Sequence, residues 1–326
     1  MLTLKRLNLT RPVDGGRCTI CGMTKRISMT LAVLVALVVI SAPVLMGQAK
    51  AFVPGKTPDG QPDLRGTWVN FDSTPFEAVG AGPAGAPIPT APGINPPSHW
   101  ADHDSPMKAA RAAMVVDPPD GRVPIMKWAE DRRAYDLEHV QDHWMHQTSW
   151  ERCITRGMPA GMFPAGYNNA YEFIQTPGYV VIRYEMIHNA RIIPLDGRPR
   201  LGEKIRQWDG EPRGHWEGNT LVVESSNYND KGMIATSAAT QRVRGIPQSE
   251  ALHVIERFTP VDANTIEYRV TVDDKNVYTK PWTVEMPLTR DSKYQMFEYA
   301  CQEGNYATPN ILAGGRKEER DAQAKN

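Results

Sequence analysis

The sequence predicts a mainly β fold, an antiparallel meander closed as a barrel or sandwich, and three observations predict it. Beyond residue 170 the chain falls into eight short runs rich in β-branched and aromatic residues, "YEFIQT", "YVVIRYEM", "ARIIPL", "TLVVESSNY", "LHVIERFT", "NTIEYRVTVDD", "WTVEMPL" and "YQMFEYAC", separated by turn residues. Apolar side chains alternate along them, with Ile266, Tyr268, Val270 and Val272 on one face and Glu267, Arg269 and Thr271 on the other. No helix-sized crossover separates consecutive runs, which disfavours a parallel α/β sheet. Closing so many strands on themselves removes exposed edges. The 41% hydrophobic and 23% charged composition is that of an ordinary globular chain, and a single domain over 52–326 is expected.

The elements follow in order. In residues 1–51 the stretch "MTKRISMTLAVLVALVVISAPVLMGQAKAF" begins basic, continues through the apolar run Leu31 to Met46 and ends with Ala49 and Ala51 at small-residue cleavage spacing. This is the pattern of a leader and secretory signal peptide, with Met23 an alternative start. The apolar run is broken by Ser41 and Pro43 and is shorter than the roughly 20 residues that span hydrocarbon, so no stable membrane span is expected after cleavage. A periplasmic or secreted location follows. Removal of 1–51 leaves 30 basic and 36 acidic residues. An acidic chain without a basic stripe is unsuited to nucleic acid, where Lys and Arg displace counterions.

Residues 52–125 contain "GAGPAGAPIPTAPGINPP" and are expected to be an extended Pro/Gly-rich wrapping segment. The G-x-G-x-x-G at Gly80, Gly82 and Gly85 is discounted as a dinucleotide fingerprint because Pro83, Pro87 and Pro89 forbid the flanking strand and helix. The domain at 126–326 opens with "MKWAEDRRAYDLEHVQDHWMHQ", which lacks Gly and Pro and predicts one helix over 126–147, with Leu137, Val140 and Trp144 on its buried side. His139, His143 and His146 would form a separate stripe on that helix, a weak zinc candidate without a fourth ligand.

Cys18 and Cys21 form a lone C-x-x-C inside the leader, which is little evidence of metal or redox work. Cys153 and Cys301 are the cysteines of the exported chain. In an oxidising compartment a disulfide between them is expected, the alternative being a nucleophilic thiol. Such a loop of about 150 residues stabilises by roughly 4–5 kcal/mol in the chain-entropy model.

Strand parity locates candidate chemistry, because an ionisable group on an apolar face must be paired or functional. In "LHVIERF" Glu256 shares its face with Leu252, Val254 and Phe258, whereas His253 and Arg257 point the other way. In "YVVIRYEM" Arg183 and Glu185 lie opposite the apolar face and are placed to pair with each other. His188 and Arg191 follow, and Asp196-Gly197 reads as a turn. A carboxylate, an imidazole and a guanidinium brought together bind an anion or move a proton; a salt-bridged sheet edge is the competing reading. Glu217 falls in a turn, and Glu224 lies opposite Leu221 and Val223 in parity. The eight tryptophans, among them Trp208, Trp216 and Trp282, supply either a ligand pocket or core. No G-x-S-x-G elbow, Walker loop or EF-hand pattern is present, and no cofactor is implied.

The run "RCITRGMP", "YEMIHNARIIPLDGRPR", "HWEGNTLVV" and "FEYACQEGNY" resembles a large family of exported bacterial proteins to which no activity is assigned, over nearly everything after residue 150. "TPDGQPDLRGTW" is similar to that family's usual start of the mature chain. The resemblance implies a secreted or periplasmic single domain, and it marks Glu185, His188, Arg191, Asp196, Arg198, Glu217, His253, Glu256, Glu303 and Asn305 as site candidates. Arg200 and Gln302 stand where the family pattern has His, and Asn219 where it has Asp. The G-x-W at Gly66, Thr67 and Trp68 is similar to lipocalin-like barrels.

Two functions are consistent with these residues. One is a small-molecule enzyme in a β-barrel cleft, with His188 as proton carrier, Glu185 orienting it, Arg191 holding a substrate anion and His253 with Glu256 as a second catalytic cluster. Asp196, Arg198, Glu217, Glu303 and Asn305 would then bind substrate. The other is a non-catalytic secreted ligand-binding protein with aromatic walls. Either way the expected partner is a small molecule.

Overall fold

The computed structural model describes residues 52–70, 72, 74–78, 111–165, 167–236 and 238–325. The expected leader over 1–51, with its C-x-x-C, and the glycine triplet at Gly80, Gly82 and Gly85 lie outside them. Ten strands form one antiparallel sheet: β1 (Gly66–Val69), β2 (Val115–Asp117), β3 (Ala170–Thr176), β4 (Tyr179–Tyr184), β5 (Ala190–Pro194), β6 (Glu211–Glu217), β7 (Thr220–Ser226), β8 (His253–Pro260), β9 (Thr265–Asp273) and β10 (Trp282–Arg290). Their order is β5-β4-β3-β1-β10-β9-β8-β7-β6, with β2 paired to β10 beside this path. The ribbon is a nearly closed barrel made of two meandering arms that meet at β1. Two helices accompany it among the described residues, α1 (Lys127–Glu138) and α2 (Ala307–Gln323).

Seven of the eight expected runs are strands. The eighth, around Tyr294 to Cys301, is instead an irregular strap whose Tyr294 and Met296 cover Val69 and Ala170 on the outer face of β1 and β3. Alternation is retained where it was expected: along β9 Ile266, Tyr268, Val270 and Val272 are buried, and along β8 every second residue, Glu256 included, points inward. β6 escapes the pattern because Pro212 and Gly214 interrupt its apolar content, and β1 because it is four residues inside a Pro/Gly-rich stretch. The 52–125 segment thus supplies the strand that joins the two arms, in register with Tyr171 and Arg290 through Trp68.

The inner face forms one continuous core in which Trp68, Phe173, Phe258, Tyr268 and Trp282 are fully buried. The Arg290 guanidinium lies 4.3 Å from the centre of the Trp68 ring and covers it by a cation–π contact. Cys153 and Cys301 are joined by a disulfide, with Cα atoms 5.6 Å apart, that ties the strap to the loop before β3.

The helix predicted over 126–147 stops at Glu138, where the His139 amide bonds back to Tyr135, and a separate short 3₁₀ turn spans Trp144–His146. It buries only Ala129; Leu137 and Trp144 are exposed rather than seated in the core. α2 carries Gly314 and Gly315 in its interior, which lowers helix propensity and hides it from a periodicity reading. Gly315 serves a close approach, since a Cβ there would lie 2.8 Å from Cβ of Gln141.

The edge strands β5 and β6 close the seam without ladder hydrogen bonds. Gly214 on β6 makes this possible: a Cβ there would lie 2.6 Å from Leu195 Cδ2 and 2.7 Å from Ile193 Cγ2. The chain after β5 then straps across, with Arg200 donating to the carbonyls of Glu211 (2.7 Å) and Glu224 (3.1 Å). Gly214→Val is expected to wedge the seam and destabilise the fold by about 1–3 kcal/mol, the cost of overpacking, as a lower urea midpoint with native-like circular dichroism.

Candidate functional site

Antiparallel pairing sets Arg191 opposite Ile182, whose side chain faces the core, so Arg191 enters the barrel. Glu256 enters from β8 opposite Val223 and Val270. Arg191 is 4% and Glu256 0% exposed. They form a bidentate pair, Nη1 to Oε1 at 3.0 Å and Nη2 to Oε2 at 2.5 Å. Arg191 also donates to the Tyr184 hydroxyl (3.1 Å) and to Ser225 Oγ (3.2 Å), and the Tyr268 hydroxyl donates to Glu256 Oε1 (3.0 Å). Burial works against the Arg191 charge, yet the Glu256 carboxylate and the Tyr184 hydroxyl more than reverse this, so the guanidinium is held well above its ordinary range. Burial pushes the Tyr184 and Tyr268 phenols up. Parity correctly sends Glu256 inward, but its partner is Arg191, not His253.

The remaining expected catalytic residues lie elsewhere. Glu185 is buried, and instead of pairing with Arg183 or orienting His188 it accepts from the Tyr294 hydroxyl and the Phe297 amide, both at 2.9 Å, anchoring the strap. Arg183 pairs with Glu172 across the β3–β4 ladder (2.8 Å). His188 is exposed on the turn between β4 and β5, where Ile187 and His188 adopt left-handed backbone (φ 61° and 43°). Its Nδ1 donates to the Tyr299 carbonyl at 2.7 Å. His253 is on the outer face of β8, 3.9 Å from Glu224. His188, Arg191 and His253 therefore do not share a cavity.

The substrate-binding candidates are equally dispersed. Asp196 and Arg198 pair with each other in an exposed turn; the guanidinium holds the Asp196 carboxyl down to about 2 and also meets the Tyr179 hydroxyl. Glu217 sits in the β6–β7 turn between Arg257 (2.6 Å) and His215 (3.2 Å), which hold its carboxyl below the usual range, Arg257 foremost. Glu303 is an exposed turn residue. Asn305 donates to the Glu151 carbonyl (3.3 Å) beside the disulfide. Gln302 and Asn219, like Arg200, donate to backbone carbonyls, those of Cys153 (3.2 Å) and Phe52 (3.4 Å). These three positions thus have structural partners here.

His139, His143 and His146 are not on one helix, because α1 ends at Glu138, before all three. Their Nδ1 atoms are occupied by the Tyr135 carbonyl, the Met145 amide and the His139 carbonyl respectively. Among the described residues no group of three or more His, Cys, Asp or Glu is placed to hold a metal ion.

Another arrangement stands out. Trp128 of α1, Trp144 of the 3₁₀ turn and Trp208 of the loop before β6 line one cleft of about 740 Å³. Met145 and Ile154 add apolar surface; Arg132, Asp136, Arg152, Asp230 and Lys231 supply its charge. Trp128 is 48%, Trp144 46% and Met145 51% exposed. The Trp128 indole is fixed by donating to the Asn276 carbonyl at 2.9 Å. Trp208 was marked as a possible pocket residue from sequence; Trp282 is core instead, and Trp216 packs against it. Trp128 and Trp144 carried no pocket signal, because on a continuous helix Trp144 joins the buried side.

No family model, curated protein or solved structure matches this chain. Its chemistry is therefore read from its own geometry.

Missed as well was Arg156 of "RCITRGMP", which is buried without a carboxylate in pairing distance among the described residues. It donates to the carbonyls of Phe163 (2.9 Å) and Ala235 (3.3 Å) and lies 5.4 Å from the Trp150 ring centre; burial pushes its guanidinium down to about 10. Its role is to hold two loops together.

Removing one member of the interior pair leaves a buried charge, so Glu256→Gln and Arg191→Met are each expected to cost about 3–5 kcal/mol, with the double change Arg191→Met/Glu256→Met recovering most of it, by urea denaturation. Alkaline pH provides a second check. Burial raises the phenols of Tyr171 (to about 12), Tyr184, Tyr228, Tyr268 and Tyr278 above the ordinary value near 10. Because the folded state keeps these protons longer, stability should be insensitive to them below about pH 10 and fall above it, by up to roughly 1.4 kcal/mol per pH unit per phenol. Phenolate absorbance should accordingly show these five ionising only with unfolding.

Proposed function

We propose that the protein is an exported ligand-binding protein that holds a small, largely apolar molecule in the tryptophan cleft, and that it belongs to the exported bacterial family it resembles. One observation carries this: three tryptophans from three separate segments, Trp128 and Trp144 exposed and Trp208 half-buried, line a common cleft of ligand size. Apolar surface gathered in a concavity with a few charged groups is the ordinary composition of a small-molecule site. The Cys153–Cys301 disulfide accords with an oxidising compartment and so with the signal-like leader.

The acid-base reading has less behind it. Both terminal nitrogens of Arg191 are engaged by Glu256, Tyr184 and Ser225 within the barrel, while His188 and His253 stand on separate outer surfaces. Among the described residues no helix is long and apolar enough to cross a membrane.

Calorimetric titration with neutral bicyclic aromatics is expected to show one site. Trp144→Ala and Trp208→Ala should each weaken it by about tenfold or more, as for buried aromatic anchors. The double change His188→Ala/His253→Ala should leave binding intact; its loss in a folded variant would favour the acid-base reading.

A further inference from the structure

We infer that the ligand of the tryptophan cleft is an acid: a flat apolar ring system bearing a carboxylate that Arg152 receives. The inference rests on reading the cleft as a binding site and names the class of molecule that occupies it.

The cleft's charges do not cancel. Asp136 is offset by Arg132, with Nε to Oδ2 at 2.8 Å, while its Oδ1 accepts no hydrogen bond and lies 4.0 Å from His146 Nε2. Arg152 has no carboxylate within pairing distance among the described residues; its Nε reaches only the Thr148 carbonyl at 3.4 Å. Its neighbour Glu151 is fully engaged, one oxygen by Arg244 (2.6 Å) and the other by the Thr148 amide (2.7 Å). Among the described residues the Lys231 ammonium has no carboxylate at pairing distance either, and of the described acids lining the cleft Asp230 is the one left to offset the two cations. This local excess of positive charge occurs in a chain whose residues 52–326 carry 36 acidic against 30 basic groups.

Arg152 is also placed for recognition rather than solvation. Its guanidinium lies 5.3 Å from the centre of the Trp144 ring, and burial disfavours its charge. A guanidinium held against an indole keeps its planar fork in one orientation, and a carboxylate is the group that satisfies such a fork bidentately. A ring attached to that carboxylate is then carried among Trp128, Trp144 and Trp208, where stacking covers their exposed faces. Acidic sugars share the anion but not the apolar ring, and Met145 and Ile154 in the wall favour the aromatic acid.

The test compares 2-naphthoate with 2-naphthamide, which differ in the charge of one group, by calorimetric titration of the full chain. The acid is expected to bind at least about tenfold tighter than the amide, the size of one charge-assisted hydrogen bond. Arg152→Gln should abolish that preference, bringing acid and amide to equal affinity, and Arg152→Lys should retain part of it. A circular dichroism spectrum identical to the unmodified protein qualifies each variant; if Arg152→Gln does not fold, the Arg152→Lys comparison and the loss of preference at high salt carry the decision. Equal affinities, or tighter binding of the amide, would overturn the acid assignment and leave the binding reading standing. Absence of binding by both compounds would remove the binding reading itself.

Discussion

A guanidinium and a carboxylate from opposite arms of one ribbon meet inside this barrel, and the fold depends on their meeting. Arg191 ends one arm on β5, whereas Glu256 and Ser225 belong to the other arm, on β8 and β7. The backbone ladder does not join the arms at β5 and β6, so closure rests on side chains. Inside the barrel the pair is screened from water, and each charge is tolerated only because the other, with Tyr184, Tyr268 and Ser225, satisfies it. A barrel closed with the two groups out of register would leave both charges desolvated without compensation. The interaction therefore selects this closure over misregistered alternatives more than it adds net stability.

The same pair accounts for the distribution of chemistry. Groups that resemble a catalytic set in sequence are absorbed into closing the structure: Arg191 and Glu256 bind the arms, Glu185 fixes the strap, and Arg200 spans the seam. Among the described residues the barrel interior is filled by core side chains. What is left for recognition lies outside it, where α1 ends early and its tryptophan and that of the following turn stay exposed beside the half-buried Trp208 of the loop before β6.

The β architecture was legible because alternation survives in sequence when one face of a strand is buried. β8 and β9 are clear cases, and Glu256 could be sent inward on parity alone. Legibility failed where local composition and tertiary role diverge. β6 carries Pro212 and Gly214, the latter a requirement of the seam; α2 carries a glycine pair, of which Gly315 lets it approach Gln141; the strap has strand composition but its hydrogen bonds go to Glu185. The candidate site was less legible than the fold. His188 and Arg191 are three residues apart, yet a left-handed turn places one in solvent and sends the other into the core.

By itself the sequence determined the antiparallel strand meander and the inward carboxylate on β8, because both follow from local alternation; a Cys153–Cys301 bond was an expectation beside a free thiol, and the structure shows the bond. Only the tertiary structure decided that Arg191 is the partner of Glu256 and that Trp128, Trp144 and Trp208 share a cleft. Those relations join residues far apart along the chain, and their geometry is set by where the two arms close and where α1 stops, which neighbouring residues do not encode.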